Sequence, residues 1–217
     1  MAKISSIPQY IVDRFHGWRA SKFENEKAWY KHLVEGGQRP RTMVVACCDS
    51  RVDINTIFAA EPGEIFVMRN VANLVPPYGP DGGLHGASAA IEYAVRGLKI
   101  AHIIILGHSS CGGVSTYHDI CAGQTQELVK ESEFIAPWLE LLRPAYAKIP
   151  ASCTERHDRV RALEMQTVIT SLDNLLTFPF ITGMINEDKL TIHGAYFDIG
   201  EGALWAYDDE TANFIQQ

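Results

Sequence analysis

A thiol, a carboxylate and a guanidinium stand at alternate positions in Cys47-Cys48-Asp49-Ser50-Arg51, immediately after the apolar run Met43-Val44-Val45-Ala46. Further along, a second apolar run, His102-Ile103-Ile104-Ile105-Leu106-Gly107, ends in His108-Ser109-Ser110-Cys111-Gly112-Gly113. Two thiolates and an imidazole have the composition of a zinc site. They fill three of four tetrahedral positions, the count of a catalytic zinc that keeps one place open, whereas a structural site closes all four. His108 and Cys111 can grip one ion across a single turn, and Gly112-Gly113 lets the backbone approach without side-chain obstruction. Side chains alternate along a strand, so Cys47, Asp49 and Arg51 share a side while Cys48 faces away, and Cys47 is the expected ligand.

For these two segments to meet, the runs that carry them must be neighbouring strands. Residues 42–48, 64–68, 101–107 and 190–197 are short runs rich in Val, Ile and Phe, the pattern of strands buried on both faces. Helical stretches separate most of them. Ala87, Ala90, Ile91, Ala94, Val95 and Leu98 line one face of residues 85–98, a helix starts at Gly113-Val114, and residues 131–148 and 156–176 read as two longer helices. Gly200-Glu201-Gly202 joins the last two apolar segments as a hairpin, which sets the final strand, 203–207, antiparallel at an edge. The fold class is therefore α/β: a mostly parallel central sheet of four strands plus an antiparallel edge strand, flanked by helices. In such a sheet ligands bind beyond the carboxyl ends of the strands, where the chain order reverses. Strands 42–48 and 101–107, placed on either side of that point, bring Cys47, Asp49, Arg51, His108 and Cys111 together.

Residues 1–40 read as an N-terminal helical arm, with helices at 4–19 and 25–35 and Gly36-Gly37 closing the second. Its Tyr10, Ile11, Phe15, Trp18, Phe23, Trp29 and Tyr30 exceed what a solvated arm needs, so it either covers the core or embraces another subunit. No repeat or linker divides the chain. It is expected to be one domain, 1–217, with the α/β core at 41–217, long enough to bury roughly 70% of the surface its unfolded chain exposes. The Pro- and Gly-rich loop at 75–83 carries neither the Lys-Ser/Thr of a phosphate loop nor a dinucleotide fingerprint, so it gives no support to a nucleotide site.

A formal charge of −7, with Lys and Arg scattered along the chain, argues against nucleic acid as a partner. No apolar run approaches the ~18 residues that span a bilayer, and no basic segment precedes an apolar leader, so no membrane partner is expected and the cytoplasm is the expected location. Five cysteines are an odd number and do not suggest a secreted disulfide framework. Cys121 and Cys153 read as small, inert thiols, and His85, His102, His118, His157 and His193 as surface or satisfied core residues.

The order Cys-x-Asp-x-Arg followed by His-x-x-Cys resembles the β-class carbonic anhydrases. The likeness continues through Glu61-Pro62-Gly63-Glu64, Arg69-Asn70-Val71-Ala72-Asn73, Glu92-Tyr93-Ala94-Val95 and Asn174-Leu175-Leu176-Thr177-Phe178-Pro179-Phe180, covering the chain from about Gln38 to the last strand. The resemblance implies zinc held by Cys47, His108 and Cys111, and reversible hydration of carbon dioxide to bicarbonate and a proton by a zinc-bound hydroxide. It implies an active site at the interface of a homodimer or a higher homo-oligomer such as a homotetramer, with the N-terminal helices extending toward a partner subunit.

The same resemblance gives Asp49 and Arg51 catalytic roles. Asp49 accepts a hydrogen bond from the nucleophile while Arg51 holds the carboxylate off the metal. Alternatively, Asp49 swings onto zinc as a fourth ligand and closes the site. In some family members that closed form is linked to a bicarbonate pocket with a tryptophan three positions before the first cysteine. Here Val44 stands in that place, which favours the open form, although Arg69 and Tyr93, the pocket's other positions, are present. The substrate-binding residues implied are Gln38, Phe66, Val71, Tyr93 and the backbone N–H of Gly112. Without the resemblance, Phe66 and Val71 read as ordinary core and Gln38 as a polar residue before a strand. Two other functions stay open: hydrolysis of carbonyl sulfide or carbon disulfide on the same scaffold, and a non-catalytic zinc-binding protein. Asp49 and Arg51 beside only three soft ligands argue against the second, because a structural site has no use for a carboxylate that orients what fills an open position.

Overall fold

The computed structural model describes residues 4–124 and 127–217; residues 1–3 of the N-terminal arm and residues 125–126 lie outside them. The chain divides into two compact units, Met1–Arg39 and Pro40–Gln217.

In the first unit, helix α1 (Gln9–Trp18) begins after Pro8, later than the apolar pattern suggests, because a proline disfavours the helical conformation in the residue before it. A π-helical segment, Arg19–Phe23, leads into α2 (Glu24–Gly36), and Gly37 ends it at a φ of +68°. The rings of Trp18, Phe23 and Tyr30 pack together, with centroids 5.3–5.9 Å apart. Tyr10, Ile11 and Phe15 stay exposed.

The second unit runs β1 (Thr42–Cys47), α3 (Ile54–Ile57), β2 (Ile65–Asn70), then α4 (Gly86–Glu92) with a π-helical extension, Tyr93–Leu98. It continues through β3 (His102–His108), α5 (Gly112–Cys121), α6 (Glu127–Lys130), α7 (Ile135–Leu139), α8 (Arg143–Ala147) and α9 (Arg156–Leu175). Helix α10 (Pro179–Asn186) and strands β4 (Thr191–Asp198), β5 (Ala203–Asp208) and β6 (Asn213–Gln216) complete it. The strands form one sheet in the order β2-β1-β3-β4-β5-β6. Strands β1 to β4 pair in parallel, and β5 and β6 are antiparallel.

Two expectations are corrected. The antiparallel end of the sheet holds two strands, so β5 is flanked on both sides and β6 is the edge; four residues ending in Ile215-Gln216 are too few to show a period in the sequence. Residues 131–148 do not make one long helix. They break into α7, a tight 3₁₀ turn at Glu140–Leu142, and α8 with Pro144 in its first turn, since proline lacks the N–H that a continuous helix needs.

Alternation along β1 feeds two cores. Met43 and Val45 join Ile103, Ile105, Ile91, Val95, Leu172 and Leu175 on one face, while Val44 and Ala46 join Val52, Ile54 and Leu106 on the other. With both faces buried, the strands read as unbroken apolar runs. Helix α9 lies close over β3 and β4 because glycines meet it: a Cβ at Gly107 would come within 2.6 Å of Val168 Cγ2, and one at Gly194 within 3.0 Å of both Leu172 and Val168. No single helix among the described residues is long and apolar enough to cross a membrane.

Valine is stiff at χ1 and cannot swing away, so Gly107→Ala is expected to destabilise the fold by about 1–3 kcal/mol, read from denaturant midpoints. The penalty should shrink when Val168 is also truncated to Ala, a coupling that a double-mutant cycle measures.

Candidate metal centre

Ala46 lies opposite Leu106 in the β1–β3 ladder, so the two strands finish side by side where the chain order reverses. Cys47 is the last residue of β1, His108 the last of β3, and Cys111 the residue before α5. All three are buried. Their donor atoms lie within 4.8 Å of one another, and they are the one group of this kind among the described residues that could hold a metal ion. Cys48, one residue past the end of β1, is exposed and outside the group.

The donor set fits zinc. Cys47 Sγ and Cys111 Sγ are 3.9 Å apart, and two thiolates on one tetrahedral zinc, with bonds of about 2.3 Å, would stand about 3.8 Å apart. His108 Nδ1 donates to the Ser109 carbonyl at 2.9 Å, which leaves the lone pair on Nε2. That Nε2 is buried without a hydrogen-bond partner, an arrangement common in metal-binding histidines and costly otherwise.

The sulfurs are electrostatically poised as well. The neighbouring Cys111 thiol, and then His108, pull the Cys47 thiol down to about 4 against the effect of burial. The Cys47 sulfur and burial together push Cys111 well above the ordinary thiol range. The two sulfurs therefore oppose ionising together, and a divalent cation between them would favour both thiolates.

Asp49 is held from the side. Arg51 Nε and Nη2 donate to its two carboxylate oxygens at 2.9 and 2.7 Å, and the Arg51 backbone N–H donates to Oδ1 at 3.0 Å. This clasp keeps the carboxyl well below the usual carboxylate range. Arg51 Nη2 also reaches the Ser110 carbonyl at 3.0 Å, tying the end of β1 to the turn that carries Cys111. From the other neighbouring strand, Arg69 donates to the carbonyls of Cys47 at 2.7 Å and Asp49 at 2.5 Å.

The family model for carbonic anhydrase matches residues 42–204. Over 206 residues the chain is 34% identical to beta carbonic anhydrase 3 of Arabidopsis thaliana, covering 93% of this chain and 78% of the relative. The chain belongs to the β-class carbonic anhydrases. Among solved structures it resembles the β-carbonic anhydrase CcaA, with a TM-score of 0.87, 32% identity, and 96% and 98% of the two chains covered. It also resembles tetrameric β-carbonic anhydrases of Sordaria macrospora, with a TM-score of 0.77, 30% identity, and 91% and 95% covered. Members of this class are lyases that hydrate carbon dioxide.

In this β-carbonic anhydrase the expected substrate residues fall into separate groups. Val71 packs against the cluster that includes Cys47 and Cys111, and its carbonyl accepts a hydrogen bond from Trp138 Nε1 at 2.9 Å. Gly112 opens α5, whose first-turn N–H groups have no intrahelical acceptor. Phe66 on β2 and Tyr93 beyond α4 pair their rings at 5.9 Å, with Tyr93 half exposed. Gln38 lies in the Met1–Arg39 unit. Val44 is fully buried on the face of β1 opposite Cys47, and Arg69 is engaged by backbone carbonyls. The close approach expected at the glycine pair falls on Gly113 alone: a Cβ there would meet Val71 Cγ1 at 2.7 Å, whereas one at Gly112 would meet nothing within 4 Å.

A cleft of about 530 Å³ adjoins the centre, lined by Arg51, Ser110, Gly112, Arg161 and Glu164 among others. Glu164 was missed from sequence. It stands on the buried stripe of α9 among Val160, Leu163, Thr167 and Val168, and a carboxylate inside an apolar helical stripe is the signal that could have found it.

Cys47→Ser is expected to lose most bound zinc, and Cys48→Ser to keep it. Elemental analysis of the two purified proteins, both checked for folding, decides between the sulfurs.

Proposed function

We propose that the chain hydrates carbon dioxide reversibly to bicarbonate and a proton, using zinc held by Cys47, His108 and Cys111. The observation that carries this reading is the arrangement of three protein donors beside a carboxylate that Arg51 clasps, which leaves a fourth coordination position to a non-protein ligand. Zinc bound there would act as a Lewis acid and lower the pKa of a bound water to about 7, the general value for carbonic anhydrases.

The protein's own residues do the rest. Asp49, its two oxygens oriented by Arg51 and by a backbone N–H, would accept a hydrogen bond from the nucleophile beside the centre and fix its direction. Arg51, anchored to the Ser110 carbonyl, keeps that carboxylate from closing the site as a fourth ligand. Val71 provides apolar wall, which suits a substrate with no net dipole, and the Gly112 N–H offers a donor to a substrate oxygen. Phe66 and Tyr93 complete the pocket in an assembly of two or more copies, and Gln38 is a further substrate-binding residue by the family resemblance alone. The exposed rings of Tyr10 and Phe15 on the N-terminal unit, and the half-exposed Tyr93, support that reading, as does the tetrameric state of the Sordaria relatives. Val44, standing where some members of the family carry a bicarbonate-pocket tryptophan, supports a site that is open at neutral pH.

Stopped-flow measurement of carbon dioxide hydration, with zinc content determined on the same sample, tests the proposal. Acceleration in proportion to zinc at neutral pH is expected. None at neutral or alkaline pH, with zinc bound, would overturn it. Asp49→Ala should keep its zinc yet lose roughly 100-fold or more in turnover. Sedimentation at the assay concentration should find dimers or larger species and no monomer.

A further inference from the structure

Glu164 is 3% exposed, and both of its oxygens are used. Oε1 accepts the backbone N–H of Cys111 at 2.9 Å, and Oε2 accepts the hydroxyl of Tyr196 at 2.8 Å. Tyr196 is itself fully buried on β4, where it pairs with Gly107. One carboxylate thus clamps α9, β4 and the turn between β3 and α5. The turn needs the clamp. Ser110 takes the left-handed conformation, φ 59°, immediately before Cys111, and the buried Cys111 N–H has no strand or helix acceptor within reach of its own element. Burying a carboxylate in an apolar stripe is unfavourable unless hydrogen bonds compensate it, so packing alone does not account for a glutamate at this position. The missing side chain at Gly107, which lets α9 settle onto β3 one turn away at Val168, brings it within range.

We propose that Glu164 is a positioning residue for the metal centre: by accepting the Cys111 N–H while Tyr196 locks its other oxygen, it fixes the Cys111 sulfur opposite Cys47 and His108. With both oxygens engaged by Cys111 and Tyr196, it acts through Cys111. This rests on the reading of Cys47, His108 and Cys111 as zinc ligands.

Two substitutions separate reach from charge. Glu164→Gln keeps an acceptor at the same distance, whereas Glu164→Asp keeps the charge and withdraws it by one methylene. Zinc transfer to a chromophoric chelator should be about tenfold or more faster than wild type in Glu164→Asp and close to wild type in Glu164→Gln. The thiolate-to-metal absorption of the cobalt-substituted proteins should shift in the first variant only. Hydrogen exchange at the Cys111 N–H, followed in metal-free protein, should quicken in the first variant only. Wild-type rates and spectra in Glu164→Asp would overturn the proposal. So would the reverse order of the two variants, or equal losses in both that track a common fall in unfolding temperature. A wild-type protein that binds no zinc would instead overturn the metal reading, and the proposal with it, a failure recognised by slow Cys111 exchange without any chelator signal.

Discussion

The parallel ladder that sets Ala46 of β1 opposite Leu106 of β3 brings two strand ends to the same level at the point where the chain order reverses, and the chemistry of the molecule is gathered there. Strand β1 is paired on both sides, to β2 and to β3, and buried on both faces. A slip of one residue would turn Met43, Val45 and Cys47 to the opposite face and bring Cys48 forward in place of Cys47. The identity of the sulfur at the centre is therefore decided by the register of a fully buried strand.

At those ends the fold holds two sulfurs and a ring nitrogen together in a buried place. The two sulfurs oppose ionising together, and His108 Nε2 is buried with no hydrogen-bond partner. Such an arrangement is tolerable when a divalent ion satisfies all three donors, and it couples metal binding to the stability of the strand ends. Around the triad, guanidinium groups hold backbone carbonyls instead of the donors themselves: Arg51 on Ser110, and Arg69 on Cys47 and Asp49. The first of these arginines also orients Asp49, so one side chain links the two strand ends and aims the carboxylate.

Close approach does the remaining positioning. Gly107 and Gly194 let α9 settle onto β3 and β4, which carries Glu164 beneath the Cys111 turn, and Gly113 lets α5 start against Val71. In each case a methyl group would collide with a branched or fixed side chain, so the distance between elements is set by what the glycine lacks.

By itself the sequence determined the parts whose cause is local. Apolar runs located β1 to β5, the spacing of Cys47, Asp49, Arg51, His108 and Cys111 announced a zinc-like donor set at two strand ends, and alternation chose Cys47 over Cys48. These are legible because strand period and residue chemistry act over a few positions. Strand β6 and the break before Pro144 were not read, since a four-residue edge strand has too short a period and the helical spacing of Ile135, Trp138, Leu139, Leu142, Ala145 and Tyr146 continues straight through the proline. Only the tertiary structure decided the rest: that Arg69 braces carbonyls, that Gly113 and not Gly112 needs to be glycine, that Glu164 accepts the N–H of a residue 53 positions away. Each of those contacts joins groups far apart in the chain, and their meeting is fixed by sheet order and helix packing, which no stretch of sequence carries alone.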